Sequence, residues 1–197
     1  MSATIWDEEV CNGLREEIFD SVKFRNHEGF MSHLDYEAIA VRDPEREFKE
    51  EDMPCVSIYV RTHDFAKDRY YPVQNVISRD FENNTMVVED ASLPYNLSLQ
   101  IDFWANYQSD IDSMMQSWLA KHFHDFNLKI KDTGDNSRTC NCLQKGEIVR
   151  ADLVKNGKRL FHSSIIYQIW VEINEEMQYN KHMVGRFNIN ENRRYEE

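Results

Sequence analysis

Between Leu93 and Phe123 the polarity of the chain changes period across one short connection. From Tyr95 to Phe103, Tyr95, Leu97, Leu99, Ile101 and Phe103 are apolar and the residues between them polar. That period of two predicts a strand with one buried and one wet face. Ser109 and Asp110 then precede Ile111, Met114, Met115, Trp118, Leu119 and Phe123. Their spacings of three and four place them on one stripe of a helix. A similar stripe, Trp6, Val10, Leu14, Ile18 and Val22, predicts a first helix over 6–24, with Asp7, Glu8 and Glu9 suited to its N-terminus.

Shorter runs predict strands at Tyr36–Val41, Cys55–Thr62, Met86–Val88 and Asn127–Lys131. Val149, Ala151 and Leu153 alternate up to Asn156-Gly157, a pair that tolerates the positive φ of a type I′ turn. The chain then returns through Ile165, Tyr167, Ile169, Val171 and Ile173, completing a hairpin. Residues 43–52 are charged and non-periodic and read as a solvated loop; 63–81 reads as a long loop or extended hairpin. Residues 131–144 are polar and turn-rich. The sum is an α+β fold: a mixed, mainly antiparallel sheet of about five to seven strands with two amphipathic helices packed on one face. One domain is expected over 1–176, followed by an extended C-terminal tail over 177–197.

The composition fits this reading. With 197 residues and 41% apolar side chains the chain has material for one ordinary core, and six Gly and four Pro argue against linkers. A net charge of −12 would repel phosphate backbones, so no direct sequence-specific nucleic-acid binding is expected. No apolar run approaches the roughly 20 residues that span a bilayer, and the acidic start does not read as a signal peptide. Cys11, Cys55, Cys140 and Cys142 are too scattered for a disulfide framework and read as reduced thiols.

Candidate chemistry is sparse. Cys140-Asn-Cys142 with His122 and His124 offers metal-ligating types, but one residue between cysteines is an unusual zinc spacing, and His122 lies on the helix stripe as a structural histidine would. No nucleophile elbow or glycine-rich phosphate loop occurs. Cys55 lies within a strand and reads as core; Asp110 and Asp112 suit a helix N-terminus. No catalytic, cofactor-binding or metal residues are assigned, and no cofactor is expected. Binding by shape remains. Phe65, Tyr70 and Tyr71, and Phe187 and Tyr195 in the tail, sit in segments without periodicity to bury them, beside Arg69, Arg186, Arg193 and Arg194. Aromatics with Arg anchor protein interfaces; equally, these side chains could pack under their own loops.

In order and spacing, four stretches resemble the tail-terminator and tail-completion (neck) proteins of tailed bacteriophages, including the tail-sheath-stabiliser branch of contractile phages. They are the helix 6–24, the proline-led Met53-Pro-Cys-Val-Ser-Ile-Tyr-Val-Arg strand, Leu93-Pro94-Tyr95 through Phe123, and the closing hairpin Asn156 to Glu172. The resemblance implies a non-enzymatic structural virion protein, made in the host cytoplasm and residing in the tail or neck. It implies a homohexameric ring that caps the tail tube, meets the tube and the sheath protein, and presents a surface to a neck or connector protein. The 43–52 loop and the chain after Asn174 depart from the pattern. Alternatives are another virion component (baseplate or head-completion protein) or a small acidic α+β enzyme or ligand-binding domain.

Overall fold

A computed structural model describes residues 3–25, 29–41, 53–71, 75–83, 85–89, 93–131, 137–155, 158–173 and 178–182. Their contacts divide the chain into two compact units, 1–65 with 95–171, and 66–94 with 172–197. The fold is α+β, as the polarity pattern predicts.

The first unit is built on helices α1 (Ala3–Ser21) and α2 (Gln108–Lys121). The strands are β1 (Lys23–Arg25), β2 (Met31–His33), β3 (Ile39–Val41), β4 (Cys55–Phe65), β7 (Leu93–Ala105), β8 (Asp125–Lys131), β9 (Ser137–Lys155) and β10 (Lys158–Ile173). Six of them form one sheet in the order β3-β4-β7-β10-β9-β8. The β3–β4 pair is parallel, while β4–β7, β8–β9 and β9–β10 are antiparallel. Helix α1 touches β3 and β4 at one end of that order and β8 at the other. The sheet therefore curls around it.

The expected stripe on α1 is real: Val10, Leu14, Ile18 and Val22 are fully buried. The helix nevertheless stops short of residue 24. Val22 N–H closes the last turn on Ile18 C=O at 2.8 Å, and the next amide, Lys23 N–H, donates to Ser117 Oγ on α2 at 2.9 Å. Capture of that backbone group by α2 turns 23–25 into a strand that pairs with β2, a tertiary contact overriding local periodicity. Likewise 36–38 is a single 3-10 turn, and only Ile39–Val41 joins the sheet.

Gly13 explains how α1 approaches the β8 edge. A Cβ there would stand 3.0 Å from the Lys129 carbonyl oxygen and 3.7 Å from Leu128 Cγ. Gly13→Val should destabilise the protein by about 1–3 kcal/mol through this overpacking, although valine is the better helix former. Urea denaturation checks the sign.

Leu97, Leu99, Ile101 and Phe103 of β7 enter the core with Trp118, Met114 and Met115 of α2 and Tyr167 and Ile169 of β10. Two expectations fail here. The alternate face of β7 is not wet throughout: Asp102 is buried, accepting from Gln100 Nε2 at 2.8 Å and meeting His162 Nε2 at 3.1 Å, and the His162 ring stacks on Trp104. Phe123 is exposed, because α2 ends at Lys121 and His122 leaves helical geometry at φ −124°, ψ 43°. Strand β9 is also longer than foreseen, beginning at Ser137 within the stretch read as turn-rich. A bulge opposite Ser164 and Ile166 interrupts its pairing, beside Gly146 at φ +74°.

In the second unit β5 (Asn75–Asp80), β6 (Thr85–Glu89) and β11 (Gln178–His182) form an antiparallel sheet ordered β11-β6-β5. Within the stretch read as a long loop lie the last residues of β4, a 3-10 turn at Lys67–Arg69, and β5. Residues 178–182, expected as the start of the extended tail, pair with β6. The 43–52 loop and the Asn156-Gly157 turn lie outside the described residues.

Candidate functional site

Helix α2 separates two surfaces of the first unit. On one flank Ser117 Oγ accepts from Lys23 N–H, which holds the β1–β2 pair alongside. On the other, Asp112 Oδ1 meets Arg150 of β9 at 3.1 Å. Asp110 is buried at the first flank and lines a cavity with Phe24 and Arg25 of β1. Asp110 and Asp112 are two residues apart on a helix of 3.6 residues per turn, so they point to opposite sides.

Both flanks expose apolar side chains. Beside β1, Phe30 and Met31 are 69% and 51% exposed. On the hairpin flank Val149, Leu153 and Val154 are 54%, 48% and 77% exposed. The alternation at 149–153 predicts one buried face, and the structure corrects that. Strand β8 pairs with Ser137–Leu143 of β9, Gln144 N–H still donates to His124 C=O at 2.7 Å, and beyond Gln144 no strand among the described residues pairs with β9 on that side. His162 of β10 sits against Asp102, three residues before β7 ends. At the hairpin end, where Lys155 pairs with Lys158, β8 does not reach the strand among the described residues.

The clusters that resemble catalytic sets are structural in geometry. At the ends of the two helices Lys121 Nζ donates to Glu17 Oε1 at 2.7 Å and to Ser21 Oγ at 2.8 Å. His122 Nε2 lies 3.2 Å from both Glu17 Oε1 and Ser21 Oγ. A serine relay needs the carboxylate on one imidazole nitrogen and the hydroxyl on the other. Here both share Nε2, and buried Nδ1 has no hydrogen-bond partner among the described residues. The ring packs on Trp118 and Phe126.

Burial holds His122 below the ordinary histidine range, with Lys121 adding repulsion and Glu17 opposing. Burial alone would raise Glu17, but the hydrogen bond and charge of Lys121 and the charge of His122 outweigh it, leaving Glu17 lowered. Both groups therefore favour their neutral-pH forms in the folded state. A lowered histidine contributes stability that is complete above the unfolded value near 6.5 and is lost as pH falls through the folded value. Unfolding in urea at pH 7.5 and pH 5 should show the wild type losing stability toward acid, and His122→Phe losing less.

The metal-ligating types do not converge. Cys140 and Cys142 are buried in the core and His124 is exposed at φ +69°. Among the described residues no three His, Cys, Asp or Glu side chains could hold one ion. Burial pushes the Cys142 thiol far above its usual range, the opposite of a nucleophile. Cys55 is buried in β4, as its place in the sequence implies. No helix among the described residues is long and apolar enough to cross a membrane.

The expected interface residues fall in both units. Phe65, at the end of β4, is exposed and meets Tyr95 edge-on at 5.5 Å. In the second unit, Arg69 and Tyr70 are half-buried around the 3-10 turn, whose Arg69 N–H donates to Ala66 C=O, while Tyr71 is largely exposed. Phe187, Arg193, Arg194 and Tyr195 lie outside the described residues, as does Arg186. The apolar hairpin end and the β1–β2 flank were not singled out from sequence. The signal for the first is Leu153-Val154 one residue before the Asn156-Gly157 turn pair, where a hairpin end has nothing of its own to cover it. Neither a scan against protein-family models nor a search of curated proteins finds a match to this chain.

Proposed function

We propose that this protein is a structural component of a phage virion. It assembles head-to-tail into a ring, six copies around, that caps the tail tube and joins the tail to the neck. The observation that carries the reading is the pair of exposed apolar surfaces on opposite flanks of α2. A ring is built from heterologous contacts, which need two different patches per subunit facing different ways. The resemblance in element order supplies the setting: tube end, neighbouring sheath and a neck or connector protein. Phe65 and Tyr71 remain candidates for contact with those neighbours. The tube protein encoded in the same genome provides the test. Tubes assembled with this protein present should carry density at one end and stop lengthening. Tubes that elongate unchanged, with bare ends, would refute the reading.

A further inference from the structure

The cavity beside the first turn of α2 has a volume of about 570 Å³, within the range of ordinary binding pockets. Phe24, Met53, Pro54 and Tyr107 give it apolar walls, and Asp110 is its buried carboxylate. Arg25 is exposed, so the buried charge is negative. Among the described residues the Asp110 side chain makes one hydrogen bond, from the Ser109 hydroxyl at 3.1 Å. A desolvated carboxylate with so little compensation favours an incoming cation.

The complementary shape belongs to the same chain. Although the protein carries a net charge of −12, the stretch 149–160 holds Arg150, Lys155, Lys158 and Arg159 against Asp152 alone. Arg159 is already engaged, paired with Asp152 and lying over the Phe161 ring at 5.0 Å. Lys155 and Lys158 occupy the last paired register of the hairpin, directly after exposed Val154. An apolar side chain followed by an ammonium is what an apolar-walled cavity with a buried acid accommodates.

We propose that this cavity receives the hairpin end of a second copy of the chain, Val154 against the apolar walls and the basic charge of the 149–160 stretch complementing the Asp110 carboxylate. The inference rests on the ring reading and names its contact. Because cavity and hairpin lie on opposite flanks of α2, each copy offers one and receives the other, and the contact repeats in one direction. Burial, only partly offset by the Ser109 bond, raises the Asp110 carboxyl above its usual range in the lone subunit.

Cross-linking tests this directly. Tyr107 and Val154 are both exposed, so Tyr107→Cys and Val154→Cys should fold, and the four native cysteines are buried. Mixed and mildly oxidised, the two variants should form a disulfide-linked heterodimer, and the doubly substituted chain a ladder ending at the ring. Asp110→Asn, and separately Lys155→Glu with Lys158→Glu, should weaken association by at least about tenfold. At dilutions where both proteins are monomeric, Asp110→Asn should also raise the melting temperature, since it removes a desolvated charge. A purely structural Asp110 would instead lower it, and that result overturns the contact. A ring that forms without the cross-link assigns the cavity to another partner and overturns this contact alone. A chain that stays monomeric at all concentrations overturns the ring reading and the contact together.

Discussion

Trp118→Ala is expected to cost about 3–5 kcal/mol, a large part of the roughly 5–15 kcal/mol that holds a domain folded. The indole is fully buried and joins three elements. Its Nε1–H donates to Tyr167 Oη at 2.9 Å, and that hydroxyl donates to the His122 carbonyl at 3.3 Å. Phe126 meets it edge-on at 5.6 Å. Burial pushes the Tyr167 phenol up to about 12, so it remains a donor throughout the accessible range. Truncation leaves a cavity where α2, β8 and β10 meet and removes the donor to the tyrosine. For a chain of this size the melting temperature should fall by on the order of 10 °C. Trp118→Phe should fall between the two, keeping most of the packing and losing the hydrogen bond.

The second large effect falls on assembly rather than folding. Leu153→Asp with Val154→Asp should weaken association by about 100-fold or more, as loss of two apolar anchors from an interface does. Both side chains are exposed in the single chain, so the melting temperature at low concentration should move little. Sedimentation over a concentration series separates these outcomes. A large loss of thermal stability would mean the hairpin end supports its own subunit instead.

Periodicity was a sound guide wherever burial follows one rule over many residues. Leu97, Leu99, Ile101 and Phe103 on β7, and Val10, Leu14, Ile18 and Val22 on α1, went where their spacing sent them. It was blind where a single distant contact decides. Nothing local announces that Lys23 N–H will be taken by Ser117, 94 residues away, or that Asp102 will be buried against His162, 60 residues away. Strand β11 reads Gln-Tyr-Asn-Lys-His, too polar to alternate; its pairing with β6 is a property of the partner strand.

Alternation was also misleading at Val149, Ala151 and Leu153. A period of two marks a face that avoids water but does not say whose surface covers it. The interface residues chosen from sequence were exposed aromatics in irregular segments, and Tyr71 is of that kind. The surfaces the structure adds, Phe30 with Met31 and the hairpin end, became visible only once the strands were placed on either side of α2. Asp110 is similar: its place in a first turn suggested an ordinary helix N-terminus, and only the walls of Phe24, Met53 and Tyr107 make it a buried charge.

The most direct test of the assembly is the mass and shape of the full chain at micromolar concentration, by sedimentation with electron microscopy of the same sample. Closed rings at six times the 23.5 kDa chain mass are expected, with each subunit related to the next by the same rotation. A monomer at every concentration, or a two-fold dimer in which like patches face each other, would contradict it.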